Sequence, residues 1–84
     1  MSSLPVRGRV QFIGKPDCHL CDDARAVVVA VCTELDEPWE EHSILDDPML
    51  YDEFWERIPV VLVDDRVAGF WRIEAAQLRS ALTA

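Results

Sequence analysis

Basic residues are scarce in this chain: eight Lys and Arg stand against sixteen Asp and Glu, a formal charge of −8. That balance opposes binding to phosphate backbones and to anionic membranes, so no nucleic acid and no membrane is expected among its partners. Cysteine is scarce too. Three make an odd count without framework spacing, which argues against a secreted fold built on disulfides. Met1 to Pro5 lacks the basic start and apolar stretch of a secretory signal, and the longest uninterrupted apolar run, Ala26 to Cys32, is far too short to cross a bilayer. Repeats and low-complexity segments are missing as well. The expectation is a soluble, cytoplasmic, monomeric protein.

What the chain does have is apolar content. Half of its 84 residues are hydrophobic, and a chain this short buries only about 60% of its unfolded surface, which leaves room for one core. Residues 1–84 therefore read as a single domain, with 1–6 as a loose amino-terminal tail. The acidic residues fall in short pairs, Asp22-Asp23, Glu40-Glu41, Asp46-Asp47 and Asp64-Asp65, between apolar segments. They read as solvated helix ends and turns.

Hydrophobic spacing orders the elements. Arg9 to Gly14 is short and apolar at Val10, Phe12 and Ile13, and Gly14 and Pro16 close it, as expected of a buried strand. From Cys18 to Leu35 no Gly or Pro intervenes, and Leu20, Ala24, Val27, Val28, Val31, Cys32 and Leu35 recur at helical spacing. The Val27-Val28-Val29 triplet prefers a strand, but only by a few tenths of a kcal/mol per residue, and the length of the segment outweighs it. Glu37-Pro38 ends the helix, and Trp39 to Ile44 follows as a strand parallel to the first. Asp47-Pro48 opens a short helix carrying Leu50, Tyr51, Phe54 and Trp55. Val60 to Val63 and Val67 to Phe70 flank Asp64-Asp65-Arg66 as a hairpin, and a last helix covers Ile73 to Leu82. The fold class is α/β, ordered βαβ-α-ββα, with a four-stranded mixed sheet flanked by helices.

Cys18 and Cys21 are three residues apart on the first helical turn, with β-carbons about 5–6 Å apart, so a small adjustment brings them to disulfide geometry. At the helix start, unpaired backbone N–H groups and the dipole favour a Cys18 thiolate, the form that attacks disulfides, by about 0.3–1 kcal/mol. Asp17, Asp22 and Asp23 oppose that charge and Lys15 supports it, so the net effect is modest. Cys18 is thus the expected nucleophile and Cys21 the resolving cysteine. His19 adds positive charge if protonated, or simply projects to solvent. A C-x-x-C pair can also be half of a zinc site, but Cys32 lies about 16 Å further along the helix and reads as a packing residue.

The Cys18-x-x-Cys21 turn between strand and helix, with Ile58-Pro59 before a hairpin, resembles the thioredoxin superfamily, and glutaredoxins within it. More narrowly, Lys15-Pro-Asp-Cys-His-Leu-Cys-Asp-Asp-Ala24 is similar to a family of short glutaredoxin-like proteins. The resemblance spans about Val10 to Leu82 and implies a thioredoxin-like fold and a thiol-disulfide oxidoreductase acting on protein or small-thiol disulfides. It also implies a cis bond before Pro59, with Ile58 offering backbone groups to a substrate strand. Lys15 matches the lysine that holds a glutathione carboxylate. The chain departs from glutaredoxins at His19-Leu20, where Pro-Tyr is usual, at Arg57-Ile58, where Thr-Val is usual, and at Ala68-Gly69-Phe70-Trp71, where Gly-Gly-x-Asp grips glutathione. One grip is kept and one lost. The expected electron donor is a reductase or glutathione, with glutathione as a co-substrate and no bound cofactor. The alternative function is a non-catalytic thioredoxin-like binding module, its cysteines idle or holding a metal shared in a dimer.

Overall fold

Val10, Phe12 and Ile13 are fully buried, because the first strand, β1 (Val10–Gly14), is covered on both faces. The computed structural model describes residues 8–83; the tail expected over residues 1–6 lies outside them. After β1 come α1 (His19–Glu34), β2 (Trp39–Ser43), α2 (Pro48–Phe54), β3 (Val60–Val63), β4 (Arg66–Phe70) and α3 (Ala75–Thr83). The strands form one mixed sheet in the order β2-β1-β3-β4. β1 runs parallel to β2 and antiparallel to β3, and β3 and β4 form the hairpin.

Alternation along β1 sends side chains to two cores. Val10 and Phe12 join Val61 and Val63 beneath α1 and α3, where Ala24, Val28, Val31, Cys32, Leu78 and Leu82 complete the packing. Ile13 and Val60 pack on the opposite face with Ile44 and Phe54, the latter from α2. The sheet is therefore flanked by helices on both faces.

Local chemistry sets the boundaries, at some points differently from the sequence reading. Cys18 is the N-cap of α1 and Asp47 that of α2, where its carboxylate accepts the Met49 N–H and Pro48 takes the first turn. The stop of α1 comes before Glu37-Pro38. Asp36 adopts φ 53, its N–H donates to the Thr33 carbonyl, and Glu37 N–H donates to Cys32 O at 2.8 Å. That is a Schellman closure with Asp in the position glycine usually fills. Asp64 and Asp65 both take positive φ, 52 and 66, so two residues complete the hairpin turn and Arg66 belongs to β4. The ladder shifts register between Val61 and Leu62, leaving Ala68 as the extra residue of a bulge. The Ile58–Pro59 peptide bond is cis. Among the described residues, no helix is long and apolar enough to cross a membrane.

Candidate active site

The cysteine pair sits where β1 hands the chain to α1. Asp17, at φ 57, turns the backbone so that Cys18 caps the helix in an extended conformation. Cys18 Sγ then accepts the backbone N–H of Cys21 at 3.2 Å. A sulfur in this place takes up one of the N–H groups that a helix start leaves unpaired, and it meets the positive end of the dipole. Cys18 is partly exposed, whereas Cys21 is wholly buried.

The two sulfurs are therefore unequal. Burial first, and then the hydrogen bond to Cys18, push the Cys21 thiol up, the Lys15 backbone N–H and the charge of Arg25 work against them, and the net result is a rise to about 11. Near neutral pH Cys21 holds its proton. Gly14 leaves room beneath it: a Cβ there would stand 3.0 Å from Cys21 Sγ, closer than ordinary packing, and the sulfur would have to give way slightly. Cys32 lies 2% exposed in the core below α1, where burial raises its thiol as well.

The remaining expected residues fall around this end of the sheet. The antiparallel register pairs Ile13 with Val60, so Gly14 and Pro59 are neighbours at the same end of adjacent strands. Pro59 is buried and next to the strand on which Cys21 rests. Ile58 is partly buried, and its N–H donates to Phe54 O at 3.1 Å. One of the two backbone groups expected to meet a substrate strand is thus engaged within the protein. Lys15 and His19 are both exposed.

Arg25 was not among the expected site residues, yet it joins α1 to β2. Its guanidinium pairs with Asp22 at 2.9 Å and Glu41 at 2.7 Å, and it lies 5.3 Å from the Phe12 ring centroid. It therefore balances one of the aspartates set against charge at the helix start. The i,i+3 spacing of Asp22 and Arg25 signals the first pair in sequence; the second needs the parallel strand. Two of the residues at which the sequence departs from glutaredoxins, Leu20 and Trp71, are both exposed. Leu20 continues the apolar stripe of α1 in sequence but is 53% exposed, whereas Cys21, in the same turn, is buried. Trp71, 56% exposed at φ 63, donates its indole N–H to Glu56 O at 2.9 Å. Among the described residues, no group of three or more His, Cys, Asp and Glu side chains is placed to hold a metal ion.

Selective alkylation reads this inequality directly. With reduced protein at about pH 8, iodoacetamide is expected to label Cys18 at least about tenfold faster than Cys21 or Cys32, as mapped by peptide mass spectrometry. Denaturant should bring the three rates together. Equal labelling in the folded protein would contradict the burial of Cys21.

Comparison with known proteins agrees with this arrangement. Residues 9–83 match the family described as Glutaredoxin-like domain (DUF836). Among solved structures, a structural-genomics target protein from X. campestris is similar at 26% identity and a TM-score of 0.72, over 88% of this chain and 95% of that one. Thioredoxin 1 from the thermophilic eubacterium Thermosipho africanus aligns at 11% identity and a TM-score of 0.64, over 88% of this chain and 89% of that one, a likeness of fold alone. No curated protein matches. The fold is thioredoxin-like, as the resemblance carried by Cys18-x-x-Cys21 and Ile58-Pro59 implied.

Proposed function

The chain belongs to the glutaredoxin-like domain family, and from that membership together with the inequality of its two site cysteines we propose that it is a thiol-disulfide oxidoreductase. The observation that carries the reading is Cys18 as an accessible N-cap, its sulfur accepting the Cys21 N–H at 3.2 Å, beside a buried Cys21 held protonated. That is a division of labour between an attacking and a resolving thiol.

In the first step the Cys18 thiolate attacks one sulfur of a substrate disulfide. A Cys18–substrate S–S bond forms, the substrate's own S–S bond breaks, and the departing thiolate takes up a proton. Cys21 then loses its proton and attacks Cys18 Sγ, forming the Cys18–Cys21 disulfide and releasing the second substrate sulfur as a thiol. Two electrons pass from the protein dithiol to the substrate, and an external thiol or dithiol reductant restores the pair. Glutathione and a dithiol reductase are the two candidate donors.

Around this couple, Lys15 offers an ammonium to an anionic group, and Ile58-Pro59 forms the platform beside the sulfurs. Because the Ile58 N–H is engaged by Phe54, pairing with a substrate strand runs through the Ile58 carbonyl unless that bond opens. Three cysteines, an odd count without framework spacing, suit a reducing compartment such as the cytoplasm. The charge of −8 favours soluble partners over nucleic acid or membrane, and the protein acts as a monomer.

A coupled assay tests the reading. The full chain, offered a panel of disulfides with glutathione plus glutathione reductase in one arm and thioredoxin reductase in the other, is expected to sustain NADPH oxidation in at least one arm. No oxidation above the protein-free rate in either arm would contradict the proposal.

A further inference from the structure

Beside the cysteine pair, a groove of ≈ 150 Å³ opens between the first turns of α1 and the link from β4 to α3. Leu20, Ala24 and Val27 form one wall at helical spacing, and Trp71 and Ile73 form the other, with Asp23 and Arg72 also lining it. An enclosed space of about this size holds an apolar group as large as benzene. Leu20 lies between the two cysteines in sequence, which puts the groove on the same helical turn as the sulfurs, although neither sulfur lines it.

Both walls carry a large apolar side chain left open to solvent, Leu20 and Trp71. A chain with so small a core forgoes stabilising burial at these places. Trp71 is nevertheless fixed. Its backbone sits at φ 63, a conformation unfavourable for a bulky residue, its N–H donates to Pro59 O at 2.8 Å, and its indole N–H donates to Glu56 O at 2.9 Å. A ring held this way loses little freedom when a ligand packs on it, which is how a pre-organised contact surface gains affinity.

Charge narrows the occupant. At the helix start Asp22 is paired with Arg25, Lys15 stands near Asp17, and Arg72 lines the groove with Asp23, so the excess of negative charge is that of the chain as a whole, −8. That field repels a small disulfide with a surplus of carboxylates, such as glutathione disulfide, and attracts a neutral or basic segment. We infer that the groove receives an apolar side chain flanking the target cysteine of a polypeptide disulfide, on a neutral or basic segment, and so favours protein disulfides over glutathione disulfide. This rests on the redox reading above. The exchange is the same: Cys18 bonds to the cysteine sulfur beside the apolar residue, the other half of the disulfide departs as a thiol, and an external dithiol re-reduces the protein.

The test uses the full reduced chain and three substrates. Two are lysine-containing peptides that differ only in Leu or Ser next to a cysteine carrying a chromogenic mixed disulfide; the third is glutathione disulfide. The Leu peptide is expected to show kcat/KM about tenfold above the Ser peptide, with glutathione disulfide lowest. Leu20→Ser should bring the Leu-to-Ser ratio close to one, and Leu20→Met should restore it. Raising the salt should shrink the advantage of the lysine-containing peptides over glutathione disulfide. Equal rates on the Leu and Ser peptides, or glutathione disulfide as the best substrate, would overturn the inference while leaving the redox reading intact. Absence of turnover on every disulfide would overturn the redox reading and the inference with it.

Discussion

Cys18→Ser is expected to lower disulfide-reducing turnover by at least about a thousandfold, since a serine hydroxyl near neutral pH is a far weaker nucleophile than a thiolate. The loss should occur without unfolding. Cys18 is the N-cap of α1 and its sulfur accepts the Cys21 N–H, a place where a serine oxygen serves well. Circular dichroism and the urea midpoint should therefore stay near those of the parent while the coupled assay falls to background. Cys21→Ser separates the two steps: attack by Cys18 survives and release of the substrate fails for disulfides that depend on an internal resolving thiol. Retained turnover in Cys18→Ser would mean that another group does the chemistry.

Phe12→Ala should have the largest effect on stability. Phe12 is 0% exposed, packed from β1 beneath α1, with the Arg25 guanidinium over its ring. Truncating a buried phenylalanine typically costs about 3–5 kcal/mol through lost transfer energy and an unfilled cavity. A domain of 84 residues has about 4–13 kcal/mol in total. The variant should be partly unfolded at room temperature, or should show a urea midpoint reduced by about a fifth or more. Val29→Ala is the contrast. Val29 is 43% exposed on α1, and replacing a β-branched residue there should raise stability by a few tenths of a kcal/mol. A small effect of Phe12→Ala would contradict the packing of the core beneath α1.

The elements legible in sequence are those written in periodicity and capping. The stripe from Ala24 to Leu35 marks α1, Asp47-Pro48 marks the start of α2, and the apolar runs on either side of Asp64-Asp65 mark the hairpin. Features that depend on a distant neighbour, or on an unusual residue in a familiar role, were not legible. Asp36 closes α1 in a left-handed conformation that glycine normally signals, so Glu37-Pro38 stood out as the stop instead. Arg66 reads as turn by its charge, yet positive φ at both aspartates lets two residues complete the reversal. At the site, the C-x-x-C spacing marks both cysteines, and the helix-start argument separates their roles. The exposure of Leu20 and the engagement of the Ile58 N–H with Phe54 follow from which elements cover the first turn of α1 and the end of α2, and no local pattern carries that.

Trapping the intermediate tests the central claim most directly. Cys21→Ser, incubated with a chromogenic peptide disulfide and quenched in acid, should show by peptide mass spectrometry one stoichiometric mixed disulfide on Cys18 and none on Cys32. An unmodified protein, or an adduct carried on Cys32 with Cys18 free, would contradict the assignment of Cys18 as the attacking thiol.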